Sequence, residues 1–199
     1  MTTLAIIGGG IAGRSLIYAL AKKKKNFSQI TLFDSEGFAP ACSMRSTAIV
    51  ASRGVTLGHS ALGDLLFAGY KTFSQHILSD SPLGVFPVKQ YTAATKRIDQ
   101  FKLRYPNWSS STSLGELKLN SNIAMASDEA FLIDPSIYLD WLIKNSHGIN
   151  LETRREFVVQ FHRAAEGIEL TDQKKETYLF DKVIFCGGTY NRFWDSSFT

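Results

Sequence analysis

The sequence predicts an α/β fold that begins with a parallel strand–helix–strand unit, and three observations support this prediction. Residues 3–7 form a short apolar run that ends in glycines, which favours a buried strand over a helix. Apolar residues then recur at helical spacing from Ile11 to Leu20. A second apolar run, residues 30–33, ends at Asp34 and predicts the next strand.

The helix between the two strands has a predicted apolar face and a predicted end. The lysines at positions 22–25 suit the negative end of the helix dipole. Asn26 follows them and is a plausible C-terminal cap. The face expected to turn towards the sheet comprises Ile11, Ala12, Ser15, Leu16, Ala19 and Leu20.

The turn between the first strand and the helix has the spacing G-x-G-x-x-G, at Gly8, Gly10 and Gly13. In a turn of this kind the first glycine permits the tight bend and the second lets a pyrophosphate approach the bare backbone. The third allows the helix to pack closely on the strand. The free N–H groups at the start of the helix, at Ile11 and Ala12, favour bound phosphate. The sequence therefore predicts a Rossmann-like dinucleotide-binding unit.

Asp34 supplies the acidic residue that this interpretation requires. It lies about 20 residues beyond the last glycine of the turn, where a carboxylate accepts hydrogen bonds from the adenosine ribose hydroxyls. Its charge also disfavours a 2′-phosphate on that ribose. Glu36 is the alternative partner for the same hydroxyls.

Composition excludes several other classes of protein. The chain has 199 residues, of which 44% are hydrophobic and 20% charged, so global disorder is not expected. A net charge of +4 is too small to indicate a nucleic-acid-binding protein. Two cysteines exclude a disulfide scaffold, and the four histidines show no metal-binding spacing. No apolar run is long enough to span a bilayer, and we expect a cytoplasmic protein.

Beyond the first unit, the sequence predicts a longer helix and further strands. A helix begins at about Ser60, with an apolar side that includes Leu62, Leu65 and Phe73. Residues 85–94 predict a strand, 98–103 a short helix, 107–113 a serine-rich loop, 156–161 a half-buried strand and 183–185 a fully buried strand. Asp134 and Pro135 predict the N-cap and first residue of another helix.

Four segments together resemble the FAD-dependent oxidoreductases of the D-amino-acid oxidase (DAO) family. The glycine turn continues as GGGIAGRSLIYALA, and residues 43–47 are similar to the segment that carries the pyrophosphate towards the flavin. Residues 131–142 (FLIDPSIYLDWL) resemble the start of a family helix, and residues 182–188 (KVIFCGG) resemble a late strand beside the cofactor. The four segments occur in the family's order and cover most of the chain.

The resemblance implies a fold and a domain organisation. The fold is α/β, with a Rossmann-like FAD-binding βαβ domain and the beginning of a second, mostly antiparallel substrate-binding sheet. Residues 1–83 form the first part of the FAD-binding domain, 84–133 begin the substrate-binding sheet, and 134–199 return to a truncated FAD-binding domain. Family members have a second glycine turn later in the chain, and none follows residue 188 here. The resemblance therefore implies that the C-terminal part of the fold is absent.

The resemblance adds residues to the predicted cofactor site. The segment around Arg45 contributes hydroxyl groups and a positive charge, and Val158 matches the position whose backbone meets the adenine, with Val159 as the alternative. The full set expected to bind FAD is Gly8, Gly10, Ile11, Ala12, Gly13, Asp34, Ser43, Arg45, Ser46, Thr47, Val158, Gly187 and Gly188. No catalytic residue and no metal ligand are predicted.

The function implied is FAD-dependent oxidation of a C–N bond, by hydride transfer from the carbon next to an amine to the flavin. The implied partner is a small amine or amino-acid substrate, with no nucleic acid and no membrane span. Two alternatives stay open. One is the flavoprotein half of a tRNA wobble-uridine modification enzyme, and the other is a non-catalytic nucleotide-binding remnant.

Overall fold

The computed structural model of the chain describes residues 2–35, 43, 48–51, 61–105, 107–114 and 117–188. Within this range the chain divides into two compact units. The first is built from residues within Met1–Ser46, Pro82–Gly84 and Asp134–Thr199, and the second from residues within Thr47–Ser81 and Val85–Ile133. Assignment of FAD-binding and substrate-binding roles to the three predicted sequence ranges stays a prediction.

A four-stranded parallel sheet forms the centre of the first unit. It contains β1 (Thr3–Ile7), β2 (Gln29–Phe33), β7 (Leu151–Arg154) and β11 (Lys182–Phe185), in the order β11-β1-β2-β7. Successive residues of a strand point to opposite faces, so the apolar strands β1 and β2 contribute to two cores. Leu4, Ile6, Ile30 and Leu32 lie on one face together with Ile17. Ala5, Ile7 and Phe33 lie on the other.

Two helices of the first unit contact each other. They are α1 (Ile11–Lys22) and α4 (Pro135–Lys144), and the rings of Tyr18 and Trp141 lie 5.3 Å apart. The predicted start of α4 is confirmed, because the carboxylate of Asp134 accepts hydrogen bonds from the backbone N–H groups of Ser136 and Ile137. The Ser136 hydroxyl also donates to this carboxylate. Its hydrogen bond has the largest effect in lowering the pKa of Asp134, and the backbone hydrogen bonds add to it.

The predicted face of α1 is partly right, because Leu16 and Leu20 pack against the core, whereas its predicted end is wrong. The helix ends at Lys22, with Lys23 rather than Asn26 as its C-cap. Its fully buried residues are Gly13, Ile17, Tyr18 and Ala21, so the helix is rotated relative to the predicted face. The contacts of Gly13 with the glycine turn and of Tyr18 with α4 fix this rotation, and they override the simple hydrophobic pattern.

A three-stranded antiparallel sheet covers the second face of the parallel sheet. It contains β8 (Val158–Ala164), β9 (Gly167–Asp172) and β10 (Thr177–Phe180), in the order β10-β9-β8. Val158, Leu170 and Phe180 pack into the core that holds Ile7 and Phe33. β11 was predicted to be fully buried, but Ile184 is 39% exposed. The reason is that β11 lies at the edge of the sheet formed by the described strands.

The second unit contains an antiparallel sheet and two helices. The strands are β3 (Ala48–Ala51), β4 (Val85–Ala94), β5 (Ser109–Leu114) and β6 (Leu117–Ile133); the order is β3-β6-β4, and β5 also pairs with β6. The helices are α2 (Ala61–Asp80) and α3 (Ile98–Arg104). The prediction of a loop over 107–113 is wrong because backbone pairing with the long strand β6 makes most of this serine-rich segment a strand.

The predicted helix α2 is present, but its apolar side is only partly buried. Leu62 and Leu65 are exposed, whereas the ring of Phe73 contacts that of Phe131, 5.7 Å away. No helix in the described part of the chain is long and apolar enough to cross a membrane.

Candidate nucleotide-binding site

The carboxyl ends of the four parallel strands meet at one edge of the sheet. Their last residues lie in register across it, in the order Phe185, Ile7, Phe33 and Arg154. Backbone hydrogen bonds continue one residue further, because the N–H of Gly8 donates to Phe33 and that of Asp34 to Arg154, at 2.8 and 2.9 Å. The glycine turn and Asp34 are therefore fixed side by side at this edge.

The strand order changes direction at β1. The chain proceeds from β1 to β2 and then β7 on one side, and β11 returns on the other side of β1. In parallel α/β sheets, ligands bind in the crevice outside the carboxyl ends of the strands at such a reversal. The residues that follow β1 and β11 are Gly8 and Cys186, and both lie at this point.

Gly8 and Gly13 are required by the packing of the turn itself. Gly8 has a φ of +110°, and a Cβ there would lie 2.6 Å from the carbonyl oxygen of Cys186. A Cβ on Gly13 would lie 2.0 Å from the carbonyl oxygen of Gly8. Both contacts agree with the roles predicted for these glycines, a tight turn for Gly8 and close helix packing for Gly13.

Gly9 is a site residue that the sequence analysis missed. A Cβ on Gly9 would lie 2.0 Å from Oδ2 and 2.2 Å from Cγ of Asp34, so the carboxylate lies directly over this glycine. The fingerprint leaves this position unspecified, which is why it received no role. The available signal was the third consecutive glycine, since Gly8, Gly9 and Gly10 stand together in the sequence.

Gly10 lies at the start of α1, beside Ser43. Gly10 is the N-cap in an extended conformation, and among the described residues a Cβ there would approach only the Ser43 side chain, with Oγ at 3.0 Å. The N–H of Ile11 donates a hydrogen bond to the same hydroxyl, at 3.1 Å. The structure thus brings together the two segments predicted to hold the pyrophosphate, at a helix terminus that favours negative charge.

Arg14 is a second residue that the sequence analysis missed. Its Nη2 lies 3.2 Å from Oδ2 of Asp34, and its Nε donates to the carbonyl oxygen of Gly9 at 2.6 Å. Its Nη1 lies 3.1 Å from Oδ1 of Asp140, on α4. No motif specifies this position, and the only signal was a charged side chain inside an otherwise apolar helical segment.

The other predicted residues have different placements. Val158 is buried in the core beneath Ile7 and Phe33, the residues that precede Gly8 and Asp34. The backbone nitrogen of Gly187 would be 2.9 Å from a Cβ on Gly8. Gly188 has a φ of +58°, and no atom of the described residues lies within 4 Å of a Cβ there. Arg45, Ser46 and Thr47, and also Glu36, lie outside the described residues.

Two ionisable side chains near the edge have shifted pKa values. Burial raises the pKa of the free thiol of Cys186. Burial alone would lower the pKa of Arg154, but the charge of Glu152 and the hydrogen bond with Tyr178 outweigh this and raise it. Among the described residues, no group of His, Cys, Asp and Glu could hold a metal ion.

The fold and this site define a dinucleotide-binding α/β protein. A family model described as "DAO: FAD dependent oxidoreductase" matches residues 3–198. The chain therefore belongs to the DAO family of FAD-dependent oxidoreductases, whose cofactor is FAD. No curated protein matches the chain at a significant level.

Solved structures of flavoenzymes share the fold. Iminodiacetate oxidase from Chelativorans sp. BNC1 is 16% identical with a TM-score of 0.72, over 96% of this chain and 57% of that one. Glycine oxidase from Geobacillus kaustophilus is 13% identical with a TM-score of 0.69, over 98% and 58%. Fructosamine oxidase from Aspergillus fumigatus is 12% identical with a TM-score of 0.66, over 94% and 48%. The chain thus spans about half the length of these structures.

Proposed function

We propose that this chain binds FAD at the carboxyl edge of its parallel sheet and belongs to a flavoenzyme that oxidises the C–N bond of an amine or amino acid. Family membership supports the FAD-dependent oxidoreductase class. The finer assignment draws on structures of similar fold whose names describe the oxidation of glycine, iminodiacetate and fructosamines.

The residues present fit the adenosine diphosphate half of FAD. A diphosphate needs bare backbone, unpaired N–H groups and space free of side chains. Gly10 supplies the bare backbone, and any Cβ added there would enter the space beside Ser43. The N–H of Ile11 donates to Ser43, so the phosphates would be bound by the other N–H groups in the first turn of α1 and by the Ser43 hydroxyl.

In this proposal each end of the nucleotide has its own partners. The carboxylate of Asp34 accepts hydrogen bonds from the ribose hydroxyls, and the Ser43 hydroxyl donates to a phosphate oxygen. Arg45, Ser46 and Thr47 continue the contacts along the pyrophosphate. The backbone near Val158 meets the adenine, and Gly187 and Gly188 allow close approach of the backbone beside β11.

FAD, when bound, supplies the hydride acceptor for oxidation of the carbon next to the amine. The part assigned to this chain is to hold the nucleotide half and exclude side chains from its crevice. We assign no catalytic residue, because a substrate amine that arrives neutral needs no protein base.

The observation that carries the proposal is the juxtaposition of three features at one edge. The glycine turn, the Ser43 hydroxyl at the start of α1 and the Asp34 carboxylate lie together where the strand order reverses. They come from three separated segments, so the fold rather than the local sequence brings them into one crevice.

The test is to purify the chain, add FAD, remove free cofactor and record the visible spectrum. We expect a retained flavin band, because the part assigned to this chain is to bind the nucleotide half of FAD. A protein that retains no flavin but binds ADP would support the nucleotide-binding remnant instead. A protein that binds neither would contradict the proposal, and Gly10→Val is the control that should not retain flavin.

A further inference from the structure

We propose that Arg14 is a positioning residue for the adenosine ribose, because it holds the Asp34 carboxylate over Gly9 in the orientation that meets the 2′-hydroxyl. The inference rests on the proposed function, since it concerns the same nucleotide site. Arg14 itself is given no contact with the nucleotide; it acts through Asp34.

The contacts of Arg14 fix the position of Asp34 from two directions. The guanidinium bonds Oδ2 of Asp34 through Nη2, and it bonds the Gly9 carbonyl through Nε. Because a guanidinium is planar and rigid, these two bonds set the distance between the carboxylate and the glycine turn. The same carboxylate lies against the Cα of Gly9, where even a methyl group would collide with it.

Burial makes this pair more than a surface ion pair. The side chains of Arg14 and Asp34 are only 12% and 14% exposed, whereas Asp140, the third partner, is 65% exposed. Exposed pairs contribute little because solvent screens them, and partly buried pairs are screened much less. Of the two described ion pairs of Arg14, the one with Asp34 is therefore the stronger.

The pair leaves an acceptor for the ribose. Among the residues that the structure describes, the hydrogen bond to Asp34 is made at Oδ2, and Oδ1 accepts none. A carboxylate oxygen carries two lone pairs, so Oδ1 can accept from a ribose hydroxyl while Arg14 retains Oδ2. Without Arg14 the carboxylate would lose the partner that fixes Oδ2 and would repel the nearby diphosphate without compensation.

The competing interpretation is that Arg14 only joins α1 to α4 through Asp140. A purely structural link would affect every nucleotide equally. A positioning role through Asp34 would affect only the part of the affinity that depends on the ribose 2′-hydroxyl. The ratio of affinities for ADP and 2′-deoxy-ADP separates the two, and it does not depend on the fraction of a variant that is folded.

The experiment is calorimetric titration of the full chain with ADP and with 2′-deoxy-ADP. For the wild type we expect ADP to bind about tenfold more tightly than 2′-deoxy-ADP, which corresponds to the free energy of one hydrogen bond to a charged acceptor. In Arg14→Met this ratio should fall towards unity, and Asp34→Asn should reduce it similarly. Arg14→Lys keeps the positive charge but loses the planar guanidinium that bonds Asp34 and Gly9 together, and its ratio of affinities should also fall. Arg163→Met, which removes an exposed arginine on β8, should leave the ratio unchanged.

Each other outcome overturns a specific statement. A wild type that binds ADP with the expected preference, and an Arg14→Met variant that keeps the preference, would contradict the role of Arg14 while leaving the proposed function intact. Equal binding of the two nucleotides by the wild type would also contradict it, because Asp34 would then not meet the 2′-hydroxyl. A wild type that binds neither nucleotide would contradict the proposed function itself.

Discussion

The backbone N–H of Ile11 donates a hydrogen bond to the hydroxyl oxygen of Ser43, 3.1 Å away and 32 residues further along the chain. The hydroxyl oxygen acts as the acceptor in this bond, so its own proton is still available to donate. Ser43 therefore places a hydroxyl donor at the positive end of α1, beside the bare backbone of Gly10.

Replacing Ser43 by alanine should weaken nucleotide binding. We expect Ser43→Ala to reduce ADP affinity by about 1.5–3 kcal/mol, the range for hydrogen bonds to charged groups. Calorimetric titration with ADP measures this, and Ser43→Thr, which keeps the hydroxyl, is the matched control. Equal ADP affinities for Ser43→Ala and the wild type would remove Ser43 from the phosphate site.

A methyl group at Gly9 should displace the Asp34 carboxylate without unfolding the chain. The Cβ of Gly9→Ala would overlap the Asp34 carboxylate, which must then rotate away. We expect a marked loss of ADP affinity and a smaller loss for 2′-deoxy-ADP. Gly69→Ala is the control, because no atom of the described part of the chain lies within 4 Å of a Cβ there. If Gly9→Ala bound ADP as the wild type does, the described placement of Asp34 would be wrong.

Substitutions at Gly10 and Gly13 should have different effects. A side chain at Gly10 meets only the Ser43 side chain, so Gly10→Val should keep the fold and abolish nucleotide binding. A side chain at Gly13 meets the backbone of Gly8, so Gly13→Val should destabilise the fold itself. Circular dichroism melting and ADP titration of both variants check this. The interpretation fails if Gly10→Val binds ADP normally or melts at the same lowered temperature as Gly13→Val.

Tyr178 should make stability depend on pH in the alkaline range. Burial, the hydrogen bond to Glu176 and the charge of Asp172 raise the pKa of Tyr178 to about 12, against an ordinary value of 10.0. The folded state then holds this proton more tightly than the unfolded state does. The resulting stabilisation is fully present below pH 10.0 and is lost as the pH rises towards about 12.

The measurement is the free energy of unfolding by urea across this pH range, for the wild type and Tyr178→Phe. We expect the wild type to lose more stability than the variant between pH 10.0 and about 12, and the two to run in parallel below that. Curves that stay parallel throughout would show that Tyr178 titrates at its ordinary value.

Features set by local chemistry were predictable from the sequence. The glycine spacing gave the turn between β1 and α1, and the capping chemistry of Asp134 and Pro135 gave the start of α4. In each case the residues that determine the structure are neighbours in the sequence, so their pattern can be recognised without knowledge of the tertiary fold.

Features set by tertiary contacts were not predictable in the same way. The serines of β5 have no strand preference of their own, and pairing with β6 makes them a strand. The rotation of α1 depends on Gly13 and on contact with α4. The link from Arg14 to Asp34 and Asp140 joins three segments, and no local pattern specifies it.

The most direct test of the account is an NMR titration of the isotope-labelled chain with ADP, which follows every backbone amide at once. We predict a saturable change in which the largest shifts occur at Gly9, Gly10, Ile11 and Ala12, with further shifts at Asp34 and Ser43. Saturable binding that leaves these amides unmoved and shifts others instead, or the absence of any binding, would contradict the claim that the glycine turn holds the diphosphate.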